Sequence, residues 1–172
     1  DYFIYNSWIW NSKNLKKFLE AFYEVIESQK NLTLFITWNE TSKDIELREL
    51  IIDLWLTNNI IFTWDLIENE IKSFYNQASF IIHPVIYDAS WITLNQAINF
   101  GSKILSSKLL EIQSIFWDNI YYFNPLYKNE IKSAILNNLE NKKNIDYSKI
   151  LEKYNSTDFV KNLLNTLEIW QI

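Results

Sequence analysis

Residues 79–107 have the sequence SFIIHPVIYDASWITLNQAINFGSKILSS, and this stretch decides the fold of the chain. The apolar run Phe80–Ile82 predicts a buried strand. Apolar residues at helical spacing predict a helix over Thr93–Phe100, and Gly101, the only glycine, is typical of a helix C-cap. The apolar pair Ile104–Leu105 predicts the next strand. Strand, loop, helix and strand in this order indicate a βαβ unit, in which ligands bind beyond the carboxyl end of the first strand.

Apolar runs alternate with helical patterns along the rest of the chain. Further strands are predicted at Tyr2–Tyr5, Leu32–Thr37, Ile60–Thr63 and Ile120–Phe123. Helices are predicted at Lys13–Gln29, Asp44–Leu54, Glu68–Gln77 and Asn129–Leu139, with one or two closing helices over Tyr147–Glu168. This alternation predicts an α/β fold, a Rossmann-like parallel sheet of about six strands with helices on both faces. Since no repeat or linker interrupts it, residues 1–172 are expected to form a single domain.

The composition excludes several classes of function. A net charge of -5 gives no reason to expect a nucleic-acid partner. No apolar run is long enough to predict a membrane-spanning helix. The chain has no cysteine, which excludes disulfides and thiolate metal sites and fits a cytoplasmic protein. A single histidine argues against a histidine-based metal cluster. The lack of methionine, even at position 1, indicates a fragment.

The central stretch also follows a known motif without gaps over 25 positions. It resembles the donor-binding signature of family-4 (group 1) retaining glycosyltransferases, F-P-S-x-Y-E-G-F-G-L-P-x-x-E-A-M-A-x-G-x-P-V-x-x-S. Pro84, Tyr87, Ala97 and Gly101 match this signature outright. Asp88 and Gln96 stand at the positions of its two glutamates, with the same spacing of eight.

Further segments resemble the same family in the same order along the chain. They are Ser12-Lys13-Asn14-Leu15, Asn59–Thr63, Ile71–Ser79 and Asp118–Pro125. The resemblance implies the second, donor-binding domain of a two-domain GT-B enzyme, without the N-terminal acceptor domain. Because GT-B chemistry takes place between two domains, the isolated chain is expected to be inactive.

The resemblance also implies a reaction and its partners. The reaction would transfer a hexose from a UDP- or GDP-sugar to a glycan or lipid-linked acceptor, with retention. No metal is expected, because GT-B enzymes stabilise the leaving diphosphate with basic side chains and helix dipoles. The full-length protein is expected to be cytoplasmic, with peripheral membrane association as a further expectation.

Six residues receive roles from the resemblance. They are Asp88 for catalysis, and Lys13, Trp91, Ile92, Thr93 and Gln96 for donor binding. Asp88 would contact the donor sugar. Lys13 would begin a helix and place its charge on the diphosphate. The backbone N–H groups of Trp91 to Thr93, at the start of the helix in the central stretch, would face the phosphates. Gln96 would accept a hydrogen bond from the nucleotide ribose through its carbonyl.

Each of these residues also has an ordinary structural interpretation. Lys13 is then a surface lysine, Asp88 a turn or N-cap residue and Gln96 a polar surface residue. The altered acid pair favours a second hypothesis, a catalytically degenerate nucleotide-sugar-binding or interaction module with the same fold. An unrelated flavodoxin-like domain is a third. We interpret His83 as a core or rim residue and Tyr121–Phe123 as part of a strand.

The chain contains eight tryptophans and only one glycine. At five positions, tryptophan stands where the family has glycine. These positions are Trp38, Trp55, Trp64, Trp91 and Trp117, and Trp8 and Trp10 fall in a loop that is also glycine-rich in the family. Glycine serves where φ is positive or backbones approach closely, and overpacking costs about 1–3 kcal/mol per site. We hypothesise that UGA codons meaning glycine were translated as tryptophan. A genuinely tryptophan-rich domain with rearranged loops is the alternative, and the codons decide between them.

Overall fold

The computed structural model describes residues 1–7, 11–37, 44–63, 66, 68–87, 92–139 and 145–153. The strands are β1 (Tyr2–Tyr5), β2 (Thr33–Thr37), β3 (Ile60–Thr63), β4 (Phe80–His83), β5 (Ile104–Ser107) and β6 (Tyr121–Phe123). The helices are α1 (Leu15–Ile26), α2 (Asp44–Asp53), α3 (Glu68–Gln77), α4 (Ile92–Asn99), α5 (Leu110–Phe116), α6 (Lys128–Leu139) and α7 (Ser148–Lys153), and a 3-10 turn spans Asn11–Lys13.

The described strands form one parallel sheet in the order β3-β2-β1-β4-β5-β6. Side chains alternate across it. Phe3 and Tyr5 of β1 pack in one apolar cluster with α1, α2 and α6, while Ile4 packs in a second cluster with α3, α4 and α5. A sheet covered on both faces needs apolar residues on both sides of its strands, as these runs provide. The predicted α/β fold with helices on both faces is confirmed.

The order of the strands reverses direction at β1. From β1 the chain moves outward through β2 to β3, and then returns to place β4 on the other side of β1. Ile4 accordingly pairs with Phe35 of β2 on one side and with Ile81 of β4 on the other. The chain leaves β1 for α1 on one face of the sheet and leaves β4 for α4 on the other face. The carboxyl ends of these two neighbouring strands are therefore the switch point of the sheet. In open α/β sheets this is where ligands bind.

The structure differs from the predicted helices at two places. The helix after β1 does not begin at Lys13: this residue ends the 3-10 turn, Asn14 follows with a φ of 54°, and α1 starts at Leu15. Helix α5 was not predicted, because it is only seven residues long and buries just Ile112 and Phe116. The predicted closing helix is α7 within the described residues, and positions 154 to 172 lie outside them.

Gly101 ends α4 as predicted. Its φ is 70°, its N–H donates to the Ile98 carbonyl at 3.1 Å, and the Ser102 N–H donates to the Ala97 carbonyl at 2.9 Å. This pair of hydrogen bonds is the Schellman motif, in which the residue after the helix has a left-handed conformation that glycine adopts without steric cost.

Trp55 ends α2 in the same way. Its N–H donates to the Ile52 carbonyl and the Leu56 N–H donates to the Ile51 carbonyl, both at 2.9 Å, and its φ is 55°. The indole is 84% exposed, so packing recovers little of the cost of the left-handed backbone. Trp55 therefore occupies a position with the hydrogen bonds and φ that Gly101 shows in this same chain.

Trp117 follows α5 with φ 43° and ψ -126°. The Asn119 N–H donates to the Phe116 carbonyl at 2.9 Å, which closes a turn with Trp117 as its first central residue. These angles belong to type II′ turns, where glycine dominates that position. Trp38, Trp64 and Trp91 lie outside the described residues, as do Trp8, Trp10 and Trp170.

Candidate functional site

The candidate site lies beyond the carboxyl ends of β1 and β4. β1 ends at Tyr5 and β4 ends at His83. The loop after β4 rests on the loop after β1, because the Ile86 N–H donates to the Ser12 carbonyl at 2.7 Å. Ser12 directly precedes Lys13, so this contact brings the Lys13 segment next to the start of the loop that leads to α4.

Asn6, the first residue after β1, joins that strand to α4. The Thr93 Oγ1 donates to the Asn6 main-chain oxygen at 2.5 Å. The Asn6 Nδ2 donates to the Gln96 Oε1 at 3.3 Å and also to the Tyr75 hydroxyl on α3. Thr93 and Gln96 are three residues apart and thus on the same face of α4. The structure therefore brings two of the predicted donor-binding residues together around Asn6.

Lys13 is half-buried at the end of the 3-10 turn. The expected help from the N-terminus of α1 needs correction, since Asn14 separates Lys13 from that helix. Asn14 is buried and does not cap α1; its Nδ2 donates to the Pro125 carbonyl at 2.8 Å, beyond the end of β6. The position of Lys13 is thus set by the turn and by the buried asparagine that follows it.

The start of α4 offers backbone donors. Ile92 and Thr93 are its first two residues, and the N–H groups of a first helical turn have no partner within the helix. No acidic residue lies in this first turn, so the partial positive charge of the helix end is not neutralised by its own side chains. Asp88 and Trp91 lie outside the described residues, and their roles stay predictions.

Two ordinary interpretations are confirmed nearby. His83 is 1% exposed, and its Nδ1 lies 3.2 Å from the Ser106 Oγ, so it is a buried and hydrogen-bonded residue at the rim of the sheet. Tyr121–Phe123 form β6, and Tyr121 packs edge-on against Phe80 with ring centroids 5.5 Å apart.

Metal-ligating side chains do not cluster in the part of the chain that the structure describes. No group of three or more histidine, cysteine, aspartate or glutamate residues there could hold an ion. Among the same residues, none of the helices combines the length and the apolar character that crossing a bilayer requires.

The sequence did not single out Asn6 or Tyr75. Asn6 carried one usable signal, because a polar side chain that directly follows an apolar strand faces the ligand edge of a parallel sheet. Tyr75 lies on the helix predicted over Glu68–Gln77 and is 1% exposed. Its hydroxyl partner lies 69 residues away in the chain and leaves no local pattern.

Comparison with known proteins shows the family of the chain. The family model described as "Glycosyl transferases group 1" matches residues 2–141. The O-antigen chain mannosyltransferase RfbU of Salmonella typhimurium is 24% identical over 137 residues, which make up 80% of this chain and 38% of RfbU.

Two solved structures have a similar fold. S. aureus TarM, in complex with fondaparinux, alpha-GlcNAc-glycerol and UDP, superposes with a TM-score of 0.82 at 16% identity, over 95% of this chain and 34% of TarM. The C-terminal domain of the group 1 glycosyl transferase LpcC from Francisella tularensis has a TM-score of 0.69 at 17% identity, over 89% of this chain and 85% of that domain.

The chain spans well under half the length of RfbU and TarM, and most of the length of the LpcC C-terminal domain. Its fold is therefore that of a C-terminal GT-B domain. Since the family model covers most of its residues, the chain belongs to the group 1 glycosyl transferases.

Proposed function

We propose that the protein containing this chain transfers a sugar from a nucleotide-sugar and that this domain binds the donor. The proposal rests on one observation: the loops after β1 and β4 and the start of α4 meet at the carboxyl ends of these two strands. The contact between Ser12 and Ile86 joins the two loops. The contacts of Asn6 with Thr93 and Gln96 join β1 to α4. The UDP in the TarM structure and the mannosyltransferase activity in the name of RfbU support the same reaction class.

The proposed chemistry needs a stabilised leaving group. The bond between the anomeric carbon and the donor diphosphate breaks, a bond to the acceptor hydroxyl oxygen forms, and the hydroxyl proton passes to the diphosphate or to water. Lys13 and the N–H groups of Ile92 and Thr93 would stabilise the diphosphate charge without a metal. Gln96 would bind the ribose, and Asp88 would contact the sugar.

The finer assignment follows the family resemblance. We propose a UDP- or GDP-hexose donor, a glycan or lipid-linked acceptor, and retention of the anomeric configuration. One observation favours the degenerate module instead: a neutral Gln96 stands where the family has glutamate, so a charge-assisted hydrogen bond is lost. Release of UDP or GDP from a nucleotide-sugar by the full-length protein would distinguish an enzyme from such a module.

Calorimetry on the full-length protein tests donor binding. We expect UDP or GDP to bind, and Lys13→Ala to weaken binding about tenfold through the loss of a charge on the diphosphate. Lys149→Ala is the matched control, because Lys149 is exposed on α7, far from the proposed site. The residue before α7, Tyr147, donates to the Ser102 carbonyl, and Ser102 precedes β5 at the amino edge of the sheet. No binding of either nucleotide at millimolar concentration, or equal losses for both lysines, would contradict the proposal.

A further inference from the structure

We propose that Asn6 is a positioning residue of the donor site, which orients the Gln96 side chain for the ribose of the bound nucleotide. This proposal rests on the proposed function and extends it to a residue that makes no contribution to the family signature. It states which end of the Gln96 amide faces the ribose, and therefore whether this amide meets a donor or an acceptor there.

The geometry around Asn6 is that of a junction between three elements. Both hydrogens of its Nδ2 have acceptors, one in the Tyr75 hydroxyl on α3 and the other in the Gln96 Oε1 on α4. Its main-chain oxygen accepts from the Thr93 Oγ1. Asn6 itself directly follows β1, the strand at which the sheet order reverses. Movement of Asn6 would therefore move two donor-binding residues at once.

Tyr75 gives this junction a rigid anchor. The side chain is 1% exposed, and its ring packs edge-on against Phe100 with centroids 5.7 Å apart. Burial raises the pKa of the Tyr75 hydroxyl to about 12, so the group stays a neutral phenol that keeps its own proton while its oxygen accepts from Asn6. The hydrogen bond that Asn6 donates to the Tyr75 hydroxyl thus holds the Asn6 amide in one orientation.

The orientation of Asn6 determines what Gln96 offers to a ligand. Because the Gln96 Oε1 accepts from Asn6, the Nε2 lies on the other branch of the amide and serves as the donor. We expected the carbonyl of Gln96 to accept from the ribose. The bond from Asn6 takes one of the two lone pairs of the Oε1 and turns the Nε2 to the other side, so the geometry points to the Gln96 Nε2 as the group that donates to a ribose hydroxyl oxygen.

The test compares two ligands that differ only in the ribose hydroxyls. UDP and 2′,3′-dideoxy-UDP are titrated into the full-length protein and into its Asn6→Ala, Gln96→Ala and double variants, with the guanosine pair in their place if GDP is the tighter ligand. We expect Asn6→Ala to weaken UDP binding about tenfold and to change dideoxy-UDP binding less than about twofold. The double variant should bind UDP no more weakly than Gln96→Ala, because Asn6 acts through Gln96.

A second variant keeps the test valid if Asn6→Ala fails to fold. Tyr75→Phe retains the buried ring and its contact with Phe100 and removes only the hydroxyl that anchors Asn6. It should show the same preferential loss for UDP, to a smaller extent. Circular dichroism and the thermal midpoint verify folding of each variant.

The outcomes separate this proposal from the proposed function. If the unmodified protein binds neither nucleotide, both fail. If it binds UDP more tightly than dideoxy-UDP and only Gln96→Ala removes the difference, the role of Asn6 is overturned while donor binding stands. If Asn6→Ala weakens both ligands equally, Asn6 has only a structural role and the proposal is wrong.

Discussion

Among single residues, the positive φ angles carry the clearest physical consequence. Besides Gly101, three described residues have a φ in the left-handed region: Asn14, Trp55 and Trp117. Asparagine tolerates this region, whereas an ordinary L-residue there costs about 1–2 kcal/mol. The two described tryptophans both stand where the family has glycine and both adopt a backbone that favours glycine. These angles support our hypothesis that the positions encode glycine, which the codons can test.

Replacement of Trp55 separates the backbone from the side chain. We expect Trp55→Gly to raise the free energy of unfolding by about 1 kcal/mol, because the left-handed strain is relieved at the end of α2. Trp55→Ala removes the same exposed indole but keeps a Cβ, so it should give no such gain. Urea denaturation of the three proteins measures the difference. Equal stability of the glycine and alanine variants would show that φ at residue 55 stores no strain.

The same comparison applies at residue 117, in the type II′ turn. Its φ and ψ of 43° and -126° are less accessible to L-residues than the left-handed helical region, so Trp117→Gly should stabilise by about 1–3 kcal/mol. Trp117→Ala is again the control. A gain from both variants would point to the half-exposed indole, and not to the backbone, as the source of the strain.

Among pairs of elements, α1 and α6 are joined by charge as well as by apolar packing. Glu24 on α1 lies 2.6 Å from the Lys128 Nζ and 3.1 Å from the Lys132 Nζ on α6. Hydrogen bonds from Lys128 and Lys132 hold the pKa of Glu24 below its ordinary value of 4.5. Phe18 and Leu19 of α1 and Ile131 and Ile135 of α6 belong to the same apolar cluster. The ion pairs thus fix the contact between two helices that the sheet already holds close.

The lowered pKa of Glu24 predicts a pH dependence with a definite sign. A carboxylate with a lowered pKa in the folded state stabilises the protein above its unfolded pKa, and this contribution is lost as the pH falls through the folded pKa. Glu24→Gln should therefore lower the urea midpoint at pH 7 and have little effect at a pH well below 4.5. Glu49→Gln, at an exposed position of α2, is the control. A Glu24→Gln effect of equal size at both pH values would exclude the ion pairs as its cause.

At the scale of the whole molecule, the sheet topology determines where a ligand can bind. The return of the chain to the other side of β1 puts the switch point of the sheet at the carboxyl ends of β1 and β4, and open α/β sheets bind ligands at this position. The residues with proposed roles that the structure describes, Lys13, Ile92, Thr93 and Gln96, all follow these two strands in the chain.

Hydrogen exchange on the full-length protein tests whether the nucleotide binds at the carboxyl edge of the sheet. Addition of UDP, or of GDP if calorimetry selects it, should slow exchange in peptides that contain Asn6 or the first turn of α4. Peptides at the amino edge, such as those containing Asn31 before β2 or Ser102 before β5, should be unchanged. Protection confined to the amino edge would place the nucleotide elsewhere and contradict the proposed site.

The sequence by itself determined the elements and the class of fold. The predicted bounds of β1, β3 and α3 agree with the structure, and the glycine after α4 ends that helix as expected. These features are local: the periodicity of apolar residues and the φ preference of glycine act over a few neighbouring residues. Trp55 and Trp117 stand out through the family resemblance, because the family has glycine at both positions.

Only the tertiary structure decided which side chains meet at the site. Asn6 and Gln96 are 90 residues apart, and Asn14 and Pro125 are 111 apart, so their hydrogen bonds depend on the order of the strands and not on any local pattern. The separation of Lys13 from α1 has the same origin, because the buried Asn14 side chain bonds to Pro125 across the sheet instead of capping its own helix. Burial makes such partners obligatory for a polar group, and the packing of distant elements determines which partner is within reach.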